Sequence, residues 1–282
     1  MEQIDKICDF IWSFLNKYSY KGVVVGISGG IDSAVVAYLC VKALGKDGVF
    51  GLLLPERDSS KDSVKDALLV CKDLGITYKI KSITPMLRKL GVYRLFPPAS
   101  IFPRSLQEKY VLAKWQNLSK DPFIDDLLDQ GNEEFLKGLS FYRAKHRVRM
   151  CNLYFEAEKR GYAVAGTSNK TEILTGLYVK WGDDASDFEP IAHLYKTEVF
   201  EMARELKVPQ KIIKMAPSPD LIPGLIDEFA FGMNYQELDK ILKKIESGSR
   251  LDDEDPQKVE RVMKILKAAE KRKIKYVKIT DL

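Results

Sequence analysis

The stretch Val23-Val24-Val25-Gly26-Ile27-Ser28-Gly29-Gly30-Ile31-Asp32-Ser33 decides the fold. Its first part is short, apolar and rich in β-branched residues, as in a central parallel strand buried on both faces. Ile31 to Leu44 then reads as a helix that stops at Gly45. Between them, two glycines let the backbone turn tightly and approach a ligand. The first N–H groups of the helix lack internal partners and point outward at its positive end, where a phosphate fits. Ser28 and Ser33 add hydroxyls, and Asp32 can hold a divalent cation on the same phosphates. A Walker loop would end in Gly-Lys-Ser or Gly-Lys-Thr, and this one does not.

Two other readings of the turn compete. Gly26-Ile27-Ser28-Gly29-Gly30 fits the G-x-S-x-G nucleophile elbow of hydrolases. There the elbow follows several strands, whereas here one helix precedes it. No His-Gly-Gly segment occurs, although His193 follows acids in the required order. The remaining reading is a tight strand–helix turn with no ligand, against which the Ser, Asp and Ser side chains argue.

Outward from this turn, strands and helices alternate. Residues 3–18 form an amphipathic helix. Strands at 49–54, 76–83 and 162–165 join the one at 23–27, the one at 76–83 with the polar alternation of an edge. Helices are expected at 61–74, 141–160 and 195–207, with two charged helices at 235–247 and 256–273. The pattern predicts an α/β fold, a doubly wound, mostly parallel sheet flanked by helices. Residues 91–139, punctuated by Pro97, Pro98, Pro103 and Pro122, fit poorly. They read as a mobile insertion with short helices at 105–117 and 124–137. The organisation expected is one domain over 1–282, with that insertion and a helical segment from about 235 to the end.

Composition narrows the class. A 282-residue chain with 45% hydrophobic and 30% charged residues is that of a globular protein. No signal-peptide pattern and no membrane-length apolar run occurs, which places the chain in the cytoplasm and off the membrane. Cys8, Cys40, Cys71 and Cys151 sit among apolar residues in helices and read as reduced core thiols. His146 and His193 have no strong metal ligand at helical spacing, which argues against zinc. The net charge of +5 is mild. The basic run Lys271-Arg272-Lys273 is a solvated face, or meets a phosphate-bearing ligand or nucleic acid.

Ser-Gly-Gly-x-Asp-Ser after a first strand resembles the pyrophosphate loop of the N-type ATP pyrophosphatases. The second half is more specific. Lys145 to Met150, Gly166-Thr167-Ser168-Asn169-Lys170-Thr171-Glu172, Lys180-Trp181-Gly182-Asp183, Pro190-Ile191, Leu194 to Val199, Ala216-Pro217-Ser218 and Ile226-Asp227-Glu228 resemble the NAD synthetase family in order and spacing. The match covers about 3–90 and 141–273. It resembles the synthetase domain without the glutaminase domain of longer members. The resemblance implies an adenine nucleotide α-hydrolase-like fold and amidation of deamido-NAD by ammonia. The acid would be activated by ATP as an acyl-adenylate, with release of AMP and pyrophosphate.

The resemblance also implies roles. Ser28, Gly29, Gly30, Asp32 and Ser33 would hold the ATP phosphates. The backbone near Leu53 and Leu54 would meet adenine, and Thr167 and Ser218 would give hydroxyl contacts. Asp32 and Glu172 match magnesium ligands, and Lys196 a phosphate-binding lysine that acts in catalysis. Arg147, Lys180, Asp187 and Lys271 match contacts to deamido-NAD, and Asp183 a position that holds and deprotonates ammonium. The family's homodimer, with the dinucleotide at the interface, is implied as well, and nucleic acid is not an expected partner. Either the loop 91–139, or the loops 183–190 and 218–230, are expected to order on substrate binding. Departures lie on the acid-substrate side: Ala230 where an acid is usual, Glu270-Lys271 for His-Lys, and Gly182-Asp183-Asp184 for Gly-Asp-Gly. A related ligase for another carboxylate, or for tRNA, is therefore the alternative.

Overall fold

A computed structural model describes residues 2–93, 118–215, 227–274 and 279. Helix α1 (Glu2–Tyr18) buries Ile4, Ile7, Ile11 and Leu15, an i, i+3/i+4 stripe, on the sheet layer below. The nucleotide-loop stretch forms β1 (Val23–Gly26) and α2 (Ile31–Leu44). Next come β2 (Val49–Leu53), α3 (Lys61–Leu74), β3 (Thr77–Ile80) and α4 (Thr84–Lys89). After residue 118 follow α5 (Pro122–Leu128), α6 (Glu133–Glu158), β4 (Ala163–Ala165), α7 (Lys170–Thr175), α8 (Lys196–Glu205) and α9 (Gln210–Ile213). The described chain closes with α10 (Asp227–Phe231), α11 (Tyr235–Glu246) and α12 (Pro256–Lys273).

Among the described residues, the three strand pairings are parallel, and the order is β3-β2-β1-β4. Side chains alternate between two cores, as strand geometry requires. Val23, Val25, Val49, Leu53, Ala163 and Ala165 join α1, α2, α3 and α8 on one face. Val24, Phe50, Leu52 and Val164 join α4 and α6 on the other. The sheet is thus doubly wound, as the alternation predicts. Val23, Val24 and Val25 are fully buried, and each side chain contributes about 1.5–3 kcal/mol. β3 is one edge of the sheet, exposed along its length.

The chain builds outward from β1 to β3 and then returns to lay β4 on the other side of β1. That reversal opens a crevice at the carboxyl ends of β1 and β4, where open sheets bind ligands.

Three expectations need correction. The stretch 124–137 is not one helix. Asp129 adopts a left-handed conformation (φ 53°) and ends α5. Asn132 then caps α6 by accepting the Phe135 N–H at 2.9 Å, and α6 runs unbroken through Phe141. Nor is the part after 118 a loose insertion. Phe123, Ile124 and Leu127 are buried with Phe231, Leu238, Ile241, Val262 and Ile265 in a second core built on α11 and α12. The helix expected at 105–117 lies outside the described residues. Among the thiols, Cys40 and Cys71 are core residues, but Cys8 is half-buried and Cys151 is exposed on α6. Among the described residues, no helix is long and apolar enough to cross a membrane.

Candidate active site

The turn after β1 is braced by its own hydroxyls. Ser33 Oγ donates to the Gly30 carbonyl at 3.0 Å and accepts the Ser28 N–H at 3.2 Å. The two serine hydroxyls lie 3.0 Å apart, and the Gly30 N–H donates to Ser28 Oγ at 3.1 Å. Ser28 therefore pairs with Ser33 and the backbone, not with a histidine as a hydrolase elbow would need. Gly29 has φ 92°, and a Cβ there would lie 2.4 Å from the Ser63 carbonyl of α3. Gly30 occupies the cap position of α2 without a side-chain cap bond. The helix mouth thus keeps N–H groups for an anion.

Across the crevice, β4 runs into α7. Asn169 and Glu172 form a capping box: the Asn169 side chain accepts the Glu172 N–H at 3.0 Å, and Glu172 Oε2 accepts the Asn169 N–H at 3.2 Å. The Asn169 amide also donates to Asp32 Oδ1 at 2.9 Å, joining the two loops. Lys196, in the first turn of α8, is 2% exposed. Its ammonium lies 2.5 Å from Asp32 Oδ2 and 3.5 Å from Glu172 Oε1. Three residues far apart in sequence thus meet at one point.

This trio carries one net negative charge, which would repel a bound triphosphate. A divalent cation would offset that charge. The hard carboxylate oxygens suit magnesium, with phosphate oxygens and water completing its shell. No group of three potential protein ligands occurs among the described residues, so the residues fit such an ion only together with the nucleotide.

The second core anchors the trio. Asp239 of α11 accepts the Thr171 hydroxyl at 2.6 Å and the Thr197 N–H at 2.8 Å. Thr171 Oγ1 accepts the Lys196 N–H at 2.9 Å. Burial pushes the Asp239 carboxyl above the usual range, and these donors pull it back only in part.

A cavity of about 400 Å³ runs from this turn across the crevice. Of the expected nucleotide residues, Ser28, Gly30, Asp32, Ser33, Leu54, Thr167, Glu172 and Lys196 line it, and so does Asp183. Gly29 is turned to α3 instead, and Ser218 lies outside the described residues. The Leu54 carbonyl accepts the Arg149 guanidinium at 3.2 Å, so α6 braces the strand end assigned to adenine.

The residues expected to meet the dinucleotide do not gather in the same way. Lys180 and Lys271 line a second cavity of about 260 Å³ with Arg143 and Arg272. Arg147 donates to the Lys180 carbonyl at 3.1 and 3.2 Å and so stands beside it. Asp187 lies elsewhere. Its carboxylate accepts the Val164 N–H of β4 at 2.7 Å and the Tyr154 hydroxyl at 3.5 Å. In this state it fixes the segment that pairs with β4.

Sequence reading missed two features. Lys145 pairs with Glu56 at 2.8 Å and Asp58 at 3.1 Å, and Tyr93 donates to Glu56 at 2.6 Å. This buried network ties the loop after β2 to α6, and its members are too far apart in sequence to signal one another. Glu189 is the other. It accepts the Ser168 N–H at 3.0 Å and the Ser186 hydroxyl at 2.8 Å, and burial pushes its carboxyl up to about 7. Gly166 is the readable sign, because a Cβ there would overlap the Glu189 carboxyl at 2.0–2.5 Å.

The chain is similar to known proteins over nearly its whole length. The chain is 65% identical over 267 residues to the NH(3)-dependent NAD(+) synthetase of Thermotoga maritima, covering 95% of each. It is 38% identical over 281 residues to that of Archaeoglobus fulgidus, covering 99% of this chain and 97% of the relative. Among solved structures, NMN synthetase from Francisella tularensis superposes with a TM-score of 0.74 at 29% identity, covering 99% of this chain and 98% of that one. The NH3-dependent NAD synthetase of Campylobacter jejuni gives 0.72 at 29% identity, covering 99% and 97%. The sequence pattern of NAD synthase matches residues 3–100 and 112–276. With nearly the whole chain matched in sequence and in fold, this protein belongs to the NAD synthase family.

Proposed function

We propose that the chain catalyses ATP-dependent amidation of deamido-NAD by ammonia, giving NAD, AMP and pyrophosphate. The observation that carries this reading is the meeting of Lys196, Asp32 and Glu172 beside the uncapped helix mouth, in one cavity with Asp183. The turn Ser28–Ser33 holds the β- and γ-phosphates, which leave together as pyrophosphate. Asp32 and Glu172 would hold magnesium with the phosphate oxygens, and such an ion would supply positive charge against the triphosphate. Lys196 is the point charge for the phosphorus under attack, aimed in advance by Thr171.

The need for adenylation is chemical. A carboxylate is a poor acyl donor because its leaving group would be oxide. Transfer of the AMP moiety to the acid supplies a good leaving group, and ammonia then displaces it. Water must be kept from the adenylate, and the crevice between the β1 and β4 loops does that. Arg147, Lys180 and Lys271 bind the acid substrate, and Asp187 supports them through the 183–190 segment. The working form is a homodimer in the cytoplasm.

A second reading is favoured by the Francisella NMN synthetase and by Ala230 and Glu270 on the acid side: a nicotinate mononucleotide as the acid. The experiment is AMP release with magnesium ATP and ammonia, comparing deamido-NAD with the mononucleotide acid. Product with ammonia alone, and higher kcat/KM for deamido-NAD, supports the first reading. Preference for the mononucleotide shifts the assignment to the second, and AMP formation only with some other acid rejects both.

A further inference from the structure

One titratable side chain in the main cavity has no role in the mechanism above. His146 of α6 is 8% exposed and forms part of the cavity wall. Its Nδ1 lies 3.2 Å from Asp183 Oδ2, and its ring meets Tyr142 edge-on at 5.0 Å. Its Nε2 is buried with no hydrogen-bond partner among the described residues. A buried ring nitrogen left unpaired costs on the order of 1–3 kcal/mol, so its place calls for a reason. The neighbourhood is built to keep it there. A Cβ at Gly182 would lie 2.7 Å from the His146 Cβ, so only glycine lets the Asp183 loop close on the imidazole. The Val179 N–H donates to the other Asp183 oxygen at 2.6 Å, fixing the carboxylate.

We infer that His146 and Asp183 form a proton-accepting dyad for the amidation step, resting on the reading that an acyl-adenylate forms in this cavity. Asp183 accepts the Nδ1–H and so fixes the tautomer whose Nε2 carries the lone pair. Ammonia attacks the acyl carbon and the C–N bond forms. The nitrogen then carries a positive charge and passes one proton to Nε2. The bond from the acyl carbon to the phosphate oxygen breaks, AMP leaves with that electron pair, and the imidazolium later returns its proton to water. Asp183 alone is the poorer base. Its two oxygens are already engaged, one by His146 Nδ1 at 3.2 Å and the other by the Val179 N–H at 2.6 Å. A carboxylate so held accepts protons weakly.

The test separates the two half-reactions in His146→Asn and His146→Gln. ATP–pyrophosphate exchange driven by deamido-NAD without ammonia reads adenylation. Amide formation from ammonia reads the second step, and hydroxamate formation from hydroxylamine reads it with a nucleophile whose adduct is a stronger acid. The dyad predicts exchange within about three-fold of the parent, ammonia-dependent product down roughly 100-fold, and hydroxamate down less than about ten-fold. Asp183→Asn should give the same pattern. Equal losses with ammonia and hydroxylamine, loss of exchange in both His146 variants, or no loss of amide overturns the dyad. A parent protein without exchange overturns the proposed function itself.

Discussion

Lys196 sits between two carboxylates, and its removal leaves both facing the place where phosphate charge gathers. Lys196→Met should lower AMP formation at least about 100-fold, mostly in kcat, because the interaction grows in the transition state. Steady-state AMP release at saturating ATP checks this. Gly29 is constrained differently. With φ 92° and the Ser63 carbonyl 2.4 Å from its missing Cβ, Gly29→Ala should cost about 2 kcal/mol or more, read as a drop in denaturant midpoint. Glu189 gives a pH signature. Its folded pKa, about 7, lies above the ordinary value for an unfolded chain. Its contribution is therefore full below that ordinary value and is lost as pH rises through about 7. Glu189→Gln should flatten the fall in stability between pH 5 and 8, an effect on the order of 2 kcal/mol. An unchanged pH–stability slope contradicts it. At this scale the sequence was legible where neighbours in the chain act together, as in Ser28–Ser33. It was illegible for Lys145, and for Glu189 apart from the sign left by Gly166, because their meaning comes from partners brought in by the fold.

Between elements, the second core matters because Asp239 of α11 pins the starts of α7 and α8 through Thr171 and Thr197. Asp239→Ala would leave two buried donors unpaired and cost roughly 2–4 kcal/mol. It would also free the Lys196 backbone. Activity should fall even at temperatures where the variant stays folded, which circular dichroism and AMP release measured together would reveal. Strand and helix order was readable because the apolar period changes cleanly from run to run. The edge place of β3 was readable from its polar alternation. The split between α5 and α6 was missed, although Asp129-Gln130-Gly131-Asn132 before Glu133 carries a helix stop and a new cap. The prolines at 97–103 favour a reading of the whole region as an insertion with short helices. Packing of Phe123 and Leu127 on α12 is a long-range event that no local pattern announces.

For the molecule as a whole, the reversal of strand order places the β1 turn and the β4–α7 loop on one crevice, and that is what brings Asp32, Glu172 and Lys196 together. The second cavity, where Asp129 stands among four basic side chains, shares no lining residue with it. If it holds the acid substrate's phosphates, Lys271→Met should raise KM for deamido-NAD several-fold with little change in kcat. The central claim is that the turn at the mouth of α2 grips the two outer phosphates of ATP so that the innermost passes to the acid. Phosphorus NMR of a turnover mixture with ammonia tests it most directly. The account predicts AMP and pyrophosphate appearing in step, one of each per amide formed. ADP and orthophosphate as the products would contradict it.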